Sequence, residues 1–253
     1  MFRRRDINSV VDEVEYILNN FPSVEVIQIA DDTFALNLER AKNLCREIIR
    51  RGIKVKFWCS TRFKPADVEL FELFAQAGFT DVGFGLESGS PKMLKDMHKG
   101  ITQKDVFETF EMIKDIPITP TTFLMVGFPE ESDQTVKETI ELVKKLKSIR
   151  PYNLSGVAPL WVYPDTEVYD KMKEAGKIDD SYWLTDKDVP YYTVDHPYHR
   201  LRKMSLSINY HDSTYKQMRS YYGHYVKYYL FNLPTKIKNK MAIRRVKNEL
   251  EES

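Results

Sequence analysis

The feature that most constrains the fold of this chain is a regular alternation of strand-like and helix-like segments. Amphipathic segments with apolar residues three and four positions apart separate short apolar runs typical of strands. The runs are VEVIQIA, VKFWCST, DVGFGLES, TTFLMVGFP and YNLSGVAPLWVYP. Strands alternating with helices predict right-handed β-α-β units and a parallel sheet. The period of roughly 30 residues favours a barrel or partial barrel; a doubly wound open sheet is the alternative.

The series begins with a helix, because the amphipathic segment SVVDEVEYILNNF precedes the first predicted strand. In a β-α-β series each helix packs on the sheet after a strand. Either a first strand is missing or this helix docks differently from its successors. Gly52 and Gly78 stand where the next two helices should end, and Pro65 suits a helical first turn. We therefore predict an α/β fold, a partial (β/α) barrel of parallel strands with its first strand missing.

The strand-helix alternation stops after residue 165, which predicts two parts, 1–165 as the partial barrel and 166–253 as a C-terminal extension. The extension is rich in tyrosine and basic residues, and we expect it to be mostly helical, with helices separated near Pro234. Basic residues cluster at its end: Lys236, Lys238, Lys240, Arg244, Arg245 and Lys247. They form either a solvated helical face or a patch for a partner chain or an anionic ligand.

Charge and cysteine content exclude several classes of protein. A formal net charge of +1 gives no overall attraction to nucleic acid or to an acidic membrane. The two cysteines, Cys45 and Cys59, fit no disulfide or zinc spacing, which favours a reducing cytoplasm. The basic N-terminal residues precede no apolar stretch, unlike a signal peptide, and no run approaches the roughly 18 apolar residues of a membrane span. We expect a cytoplasmic chain with neither membrane nor nucleic acid as a partner.

Polar residues follow every predicted strand at its carboxyl end, where parallel β/α folds hold their ligands. Asp31 and Asp32 follow the first strand, and Arg62 follows the second. The later strands end in GFGLESGS, GFPEES and YPDT. Carboxylates suit amines and hydroxyls, an arginine suits an acid, and glycines admit a ligand close to the backbone. Together the strand ends predict a polar ligand pocket.

Each of these residues also has an ordinary structural interpretation. Asp32 or Thr33 can cap a helix, and Glu87 can pair with Arg62 across neighbouring strand ends. The histidines, His98 among them, lack metal-ligand spacing and are interpreted as surface or capping residues. The agreement of five strand ends favours the pocket over the separate structural explanations.

The ordered motifs DDTF, GFGLESGSPKMLKDMHKG, GFPEES and YPDT resemble the radical S-adenosylmethionine (SAM) superfamily. The resemblance runs from Arg5 to Gly176 and is strongest to the branch that includes B12-binding members and relatives of the methylthiotransferases. It implies a partial barrel, bound SAM and a [4Fe-4S] cluster. It also implies reductive cleavage of SAM to a 5′-deoxyadenosyl radical, or B12-dependent transfer of a methyl or sulfur group.

The resemblance further implies a set of cofactor-binding residues, although it names no catalytic one. These are Asp31, Asp32, Thr33, Phe34, Arg62, Glu87, Ser88, Lys99, Gly127 and Pro129. The paired aspartates stand where the family holds the methionine amino group, and Arg62 where a cation can meet the methionine carboxylate. Glu87 and Ser88 correspond to the ribose contacts, Lys99 to a weaker carboxylate contact, and the Gly127–Pro129 backbone to the adenine contact. Asp165 replaces the glycine of the family's Pro-Gly-Thr turn.

The main departure from the family is the missing CxxxCxxC loop, whose three cysteines hold the cluster. Cys45 belongs to a helix face and Cys59 to a strand, so neither replaces a loop of thiolates. We therefore expect an incomplete radical SAM enzyme that is inactive alone: a truncated gene product, a shortened expressed form or an inactive relative. Any cobalamin domain would belong to a longer parent protein.

Two rival functions remain at this point. A metal-dependent barrel enzyme can use Asp31, Asp32 and Glu87 to hold magnesium or another hard cation. A non-catalytic remnant can instead act as a scaffold that binds partners through its Tyr-rich tail. The missing first strand predicts an open sheet edge and self-association through it. The substrate, a small molecule or a peptide, is not named by the sequence, because one fold hosts many reactions.

Overall fold

The computed structural model describes residues 4–212, and strands and helices alternate over most of this range. Its strands are β1 (Val26–Ile29), β2 (Lys56–Thr61), β3 (Phe79–Glu87), β4 (Thr119–Val126) and β5 (Asn153–Pro159). Its α-helices are α1 (Ile7–Asn20), α2 (Leu38–Arg50), α3 (Val68–Ala77), α4 (Pro91–Asp96), α5 (Gln103–Ile113), α6 (Asp133–Ile149), α7 (Glu167–Glu174) and α8 (Tyr198–Asp212). A 3-10 helix covers Asp180–Leu184.

The strands described here form one sheet in the order β1-β2-β3-β4-β5, and every neighbouring pair is parallel. This confirms the predicted α/β partial barrel. Within residues 4–212, no helix combines the length and apolar character needed to cross a membrane. The helices predicted near Pro234 and the basic cluster at residues 236–247 lie outside the described residues. The domain boundary placed after residue 165 stays a prediction.

Two helix starts differ from the sequence prediction. The N-cap of α2 is Asn37, whose side chain accepts the Arg40 amide at 2.9 Å, so the capping role considered for Asp32 or Thr33 is wrong. Pro65 lies before α3 rather than in its first turn, because Asp67 is the N-cap. Both caps satisfy backbone donors that the helix itself leaves unpaired.

The helix-covered face of the sheet buries a stack of aromatic rings. Phe79 of β3 stacks on Phe57 of β2 at 5.1 Å between centroids and on Phe74 of α3 at 4.8 Å. All three side chains are at most 1% exposed. Burying one such side chain stabilises the fold by about 1.5–3 kcal/mol. This face therefore fixes the positions of β2 and β3, whose carboxyl ends carry the candidate site.

Helix α1 packs beside α2, although no described strand precedes it. Val11 and Val14 belong to the main hydrophobic core. On the rim of the contact, the Arg51 guanidinium pairs with Asp12 and with Glu15. Among the described strands, β1 pairs only with β2 and is an edge of the sheet. The helix thus lies in the same layer as its successors.

The segment after β5 forms a second hydrophobic cluster on the other face of the sheet. Its buried members are Leu160, Val162, Tyr169, Met172, Ile178 and Tyr192. Met125 of β4 packs against this cluster, whereas its neighbours Leu124 and Val126 belong to the main core. Successive strand residues point to opposite faces, so this cluster covers the face of β4 opposite the main core. Helix α8 returns to the main core through Met204 and Ile208.

Candidate functional site

On the face of β3 opposite the main core, Gly83 and Gly85 form a strip without side chains. A Cβ at Gly83 would lie 2.6 Å from the Phe123 ring and 3.3 Å from Ser60 Oγ. A Cβ at Gly85 would lie 2.9 Å from Oε1 of Glu87 and 3.2 Å from Nζ of Lys99. Glycine at both positions lets these side chains lie directly on the strand. The strip leads to the carboxyl end of β3.

Glu87 ends β3 and pairs with Lys99, whose Nζ donates to Oε1 at 2.9 Å. Each of the two side chains is about one-fifth exposed. The pairing considered between Glu87 and Arg62 is not formed, and Arg62 is exposed without a partner in the described part of the chain. The backbone at Glu87 has φ of +63°, a conformation that non-glycine residues rarely adopt. Strained residues of this kind cluster at functional sites.

The turn after Glu87 is buried and held by α6. Gly89 donates its N–H to Thr139 Oγ1 at 3.0 Å, and Ser88 Oγ lies 3.2 Å from the same oxygen. Ser90 Oγ donates to Glu138 Oε2 at 2.5 Å. Ser88 is 1% exposed, so its hydroxyl anchors this turn. Sequence reasoning missed Thr139, because its role depends on a contact fifty residues away.

The turn after β1 contains the two aspartates with which the pocket prediction began. Asp31 Oδ1 accepts the Thr33 N–H at 3.0 Å, and the Phe34 N–H donates to the Ser60 carbonyl at 2.9 Å. The turn is thereby attached to the end of β2. Asp31 and Asp32 are both exposed. The Asp32 carboxylate has no hydrogen bond or ion pair with any residue of the described range.

A cleft of about 400 Å³ lies beside this turn and combines acidic with basic groups. Asp31, Thr33 and Phe34 line one part of it. Its basic residues are Arg4, Arg5 and Arg40. Arg40 donates to the Arg5 carbonyl at 2.6 Å, which holds the N-terminal segment against the start of α2. A carboxylate with guanidinium groups nearby suits a zwitterion that carries an ammonium and a carboxylate. The sequence analysis missed these three arginines.

The loop after β4, Gly127–Glu131, is named the β4 loop here. Gly127 has φ of +97° and donates its N–H to Glu131 Oε2 at 2.5 Å. The Glu131 side chain is buried. Burial raises the pKa of Glu131 to about 7, while the Gly127 and Phe128 amides and Arg200 oppose the rise. Pro129 is half-buried in the same loop.

Two residues that follow the second cluster contact the β4 loop. His196 Nε2 lies 3.0 Å from the Phe128 carbonyl oxygen, and the side chain is 3% exposed. The interpretation of the histidines as surface residues is therefore wrong for His196, although His98 is exposed. Leu201 is fully buried against Gly127, where a Cβ would overlap its side chain.

In the turn after β5, Asp165 adopts a positive φ, which non-glycine residues rarely do. Asp165 has φ of +60°, in the left-handed region that glycine adopts most readily. Thr166 is the N-cap of α7, and its hydroxyl donates to the Tyr163 carbonyl at 2.6 Å. Asp165 therefore occupies a backbone conformation that suits glycine, the residue that the resemblance places at this position.

The two cysteines do not fit an iron–sulfur cluster. Cys45 and Cys59 are both 0% exposed. Burial raises the pKa of the Cys45 thiol to about 12 and that of Cys59 well above its ordinary value, whereas cluster ligation needs thiolates. Across residues 4–212, no group of three or more His, Cys, Asp or Glu side chains is placed to hold a metal ion.

The fold and the strand ends define a β/α protein with a candidate ligand site at the carboxyl edge of a parallel sheet. The model of the Radical SAM superfamily matches residues 1–143, more than half of the chain. The chain therefore belongs to the radical SAM superfamily, and the resemblance found in its motifs is confirmed.

Its relatives include B12-dependent radical SAM methyltransferases and methylthiotransferases. An uncharacterized methyltransferase of Pyrococcus horikoshii is 29% identical over 145 residues, covering 57% of this chain and 31% of the relative. The ribosomal protein uS12 methylthiotransferase RimO of Thermosipho melanesiensis is 24% identical over 189 residues, covering 70% and 42%. The chain thus spans well under half the length of these curated relatives.

Solved structures of radical SAM enzymes have a fold similar to that of this chain. The radical SAM methyltransferase TsrM from Kitasatospora setae, with cobalamin and a [4Fe-4S] cluster bound, aligns with a TM-score of 0.57 and 26% identity. The alignment covers 68% of this chain and 34% of TsrM. The cobalamin-dependent radical enzyme OxsB aligns with a TM-score of 0.52 at 19% identity and supports the fold alone.

Proposed function

We propose that this chain forms the SAM-binding part of a radical SAM enzyme of the B12-dependent methyltransferase or methylthiotransferase kind. One observation supports the proposal: carboxylates, an arginine and a glycine-containing loop lie at the carboxyl ends of neighbouring parallel strands, and these groups suit the parts of SAM. Membership of the superfamily implies SAM and a [4Fe-4S] cluster as its cofactors. The overall reaction and a role for cobalamin are part of the proposal. So is the substrate, which is either a small molecule or a peptide.

The turn after β1 suits the methionine part of SAM. Asp31 and Asp32 are exposed carboxylates, and the Asp32 carboxylate oxygens form no hydrogen bond or ion pair with the described residues. They are available to accept an ammonium, and charge-assisted bonds of this type contribute about 1.5–3 kcal/mol each. The exposed Arg62 guanidinium is available to the methionine carboxylate. The arginines of the adjacent cleft offer a second cationic group at the same place.

The end of β3 suits the ribose of SAM. Lys99 Nζ donates to one oxygen of Glu87, which leaves the other carboxylate oxygen to accept a ribose hydroxyl. The buried turn through Ser88 and Thr139 holds the strained Glu87 backbone in place. Adenine then packs on the backbone of the β4 loop, between Gly127 and Pro129.

The chemistry that cleaves SAM is not assigned to this chain's residues. In the superfamily the cluster supplies the electron that breaks the sulfonium bond. Cys45 and Cys59 are buried thiols that do not fit that cluster, so we derive no step through it. The same observation favours the second candidate, a non-catalytic scaffold that binds partners or associates through the free edge of β1. SAM binding separates the two functions.

Calorimetry of SAM titrated into the full chain tests the proposal. We expect the wild-type chain to bind SAM and an Asp31→Asn, Asp32→Asn double variant to bind at least about tenfold more weakly, about 1.4 kcal/mol. The Asp186→Asn, Asp188→Asn variant is the matched control, because it makes the same charge change at exposed positions. Absence of wild-type binding would leave the scaffold, and an unaffected double variant would show that the aspartates are not ligands.

A further inference from the structure

The β4 loop is held by residues far away in the chain as well as by its own Glu131. On one side, the Gly127 N–H donates to Glu131 Oε2 at 2.5 Å. On the other, the Phe128 carbonyl lies 3.0 Å from His196 Nε2. Leu201 packs against Gly127 itself. The path of the loop backbone is therefore fixed partly by the segment at residues 196–201.

We propose that His196 is a positioning residue of the SAM site, which holds the Phe128 carbonyl and thereby the backbone of the β4 loop. The role rests on the proposed function, in which this backbone packs against adenine. His196 lies beyond residues 1–143, which match the superfamily model. In this proposal, a residue outside the part that matches the superfamily model contributes to the cofactor site.

The hydrogen bond to Phe128 fixes which nitrogen of His196 carries the proton. A carbonyl oxygen only accepts, so Nε2 must carry the hydrogen. In the neutral ring Nδ1 is then an acceptor, and this buried atom has no hydrogen-bond partner within the described part of the chain. The hydrogen bond from Nε2–H to the Phe128 carbonyl is therefore the contact through which the ring can hold the loop. The Phe128 carbonyl also accepts the Glu131 N–H at 3.1 Å within the loop, so the bond from His196 is the one that ties this oxygen to a distant segment. Loss of a hydrogen bond is unfavourable, so the His196 bond resists displacement of the loop.

The segment that carries His196 is itself anchored on both sides. Just before it, the hydroxyl of the buried Tyr192 donates to Asp195 Oδ2 at 2.8 Å. Just after it, α8 inserts Met204 and Ile208 into the main core, and Ser205 Oγ donates to the Val157 carbonyl at 2.7 Å. These contacts hold the imidazole against the loop, which a positioning residue requires.

A side-chain series at position 196 separates positioning from simple packing. A glutamine places its amide N–H₂ near the position of Nε2, whereas an asparagine places it near Nδ1. We expect His196→Gln to retain the bond to Phe128, and His196→Asn and His196→Phe to lose it. His199→Asn, at an exposed histidine three residues away, is the matched control.

Two readouts on the full chain test this series: amide hydrogen exchange in residues 127–131 and the Kd for SAM by calorimetry. We expect His196→Asn and His196→Phe to exchange about tenfold faster in this loop and to bind SAM at least fivefold more weakly. His196→Gln and His199→Asn should stay within twofold of wild type in both readouts. Rescue by glutamine of both loop exchange and SAM affinity is the result that simple packing of the ring would not give.

The failures of the two proposals are distinguishable. Wild-type SAM binding together with unchanged loop exchange in His196→Asn would overturn this inference and leave the proposed function standing. Equal defects in His196→Gln and His196→Asn would also overturn it, because the nitrogen position would then not matter. A wild-type chain that binds no SAM would overturn the proposed function and the role of His196 with it.

Discussion

The two faces of the same sheet differ in what their residues do. On the helix-covered face, Phe57 and Phe79 stack in a core that excludes water. On the other face, the same strand β3 presents Gly83 and Gly85 and ends in the strained Glu87. Because side chains alternate along a strand, the residues packed in the core fix the positions of Gly83, Gly85 and Glu87 between them. In the proposed function, stability and ligand binding are therefore separated by face of the sheet rather than by region of the chain.

The largest effect is expected on the helix-covered face. Phe74→Ala removes a ring stacked at 4.8 Å on Phe79 and leaves a cavity in the core. We expect the free energy of unfolding to fall by about 3–5 kcal/mol. Phe21→Ala, at a side chain that is 54% exposed, should cost less than about 1 kcal/mol. Urea unfolding measures both, and similar losses in the two variants would contradict the burial of Phe74 in the core of the helix-covered face.

The next largest effect is a pH dependence of the free energy of unfolding, which comes from the buried Glu131 in the β4 loop. Its pKa in the folded protein, about 7, exceeds the ordinary value of 4.5, so the folded state binds the proton more tightly than the unfolded state. Stability should therefore fall as pH rises from 4.5 to 7, by up to about 3 kcal/mol, and level off above that.

The control for this slope is Glu131→Gln, which cannot ionise and keeps a similar shape. Its unfolding free energy should lack the decline between pH 4.5 and 7 that Glu131 contributes to wild type. Thermal or urea unfolding at a series of pH values measures the difference. A wild-type curve that runs parallel to the variant's would show that Glu131 ionises normally.

The smallest changes in stability are expected when either of two glycines is replaced by alanine, one in β3 and one in the turn that follows it. A Cβ at Gly89 would lie 2.6 Å from Thr139 Cα, which is backbone and cannot yield. Gly89→Ala should cost about 1–3 kcal/mol. A Cβ at Gly83 would meet two side chains, the partly exposed Phe123 ring and Ser60 Oγ at 3.3 Å, and no backbone atom within that distance. Because side chains can move, Gly83→Ala should change stability less and SAM affinity more. Unfolding and calorimetry on both variants check this, and the reverse ranking would contradict the assignment of faces.

Local patterns in the sequence predicted most of the fold, because the periodicity of strands and helices depends on residues that are close together in the sequence. The five strands and their order followed from it. The short helix α4, Pro91–Asp96, was missed, since one and a half turns give no measurable periodicity. The capping residue Asn37 was missed because adjacent acids drew attention to Asp32.

The candidate site was predicted less completely, because its support comes from contacts distant in the sequence. The strand ends located Asp31, Glu87 and the β4 loop. The bonds of Thr139 and His196 to these turns join residues about 50 and 68 positions apart, and no local motif marks such pairs. The nearest local signal was the capping box formed by Ser132 and Thr135, which marks the start of α6. It does not predict that Thr139 of this helix contacts Gly89.

A hydrogen-exchange footprint of SAM on the wild-type chain tests the central claim most directly. The account predicts slower exchange at residues 31–34, 83–90 and 127–131, and unchanged exchange in α2 and α3, which cover the opposite face. Protection confined to those helices, or no protection at saturating SAM, would contradict the claim that the open strand ends form the cofactor site.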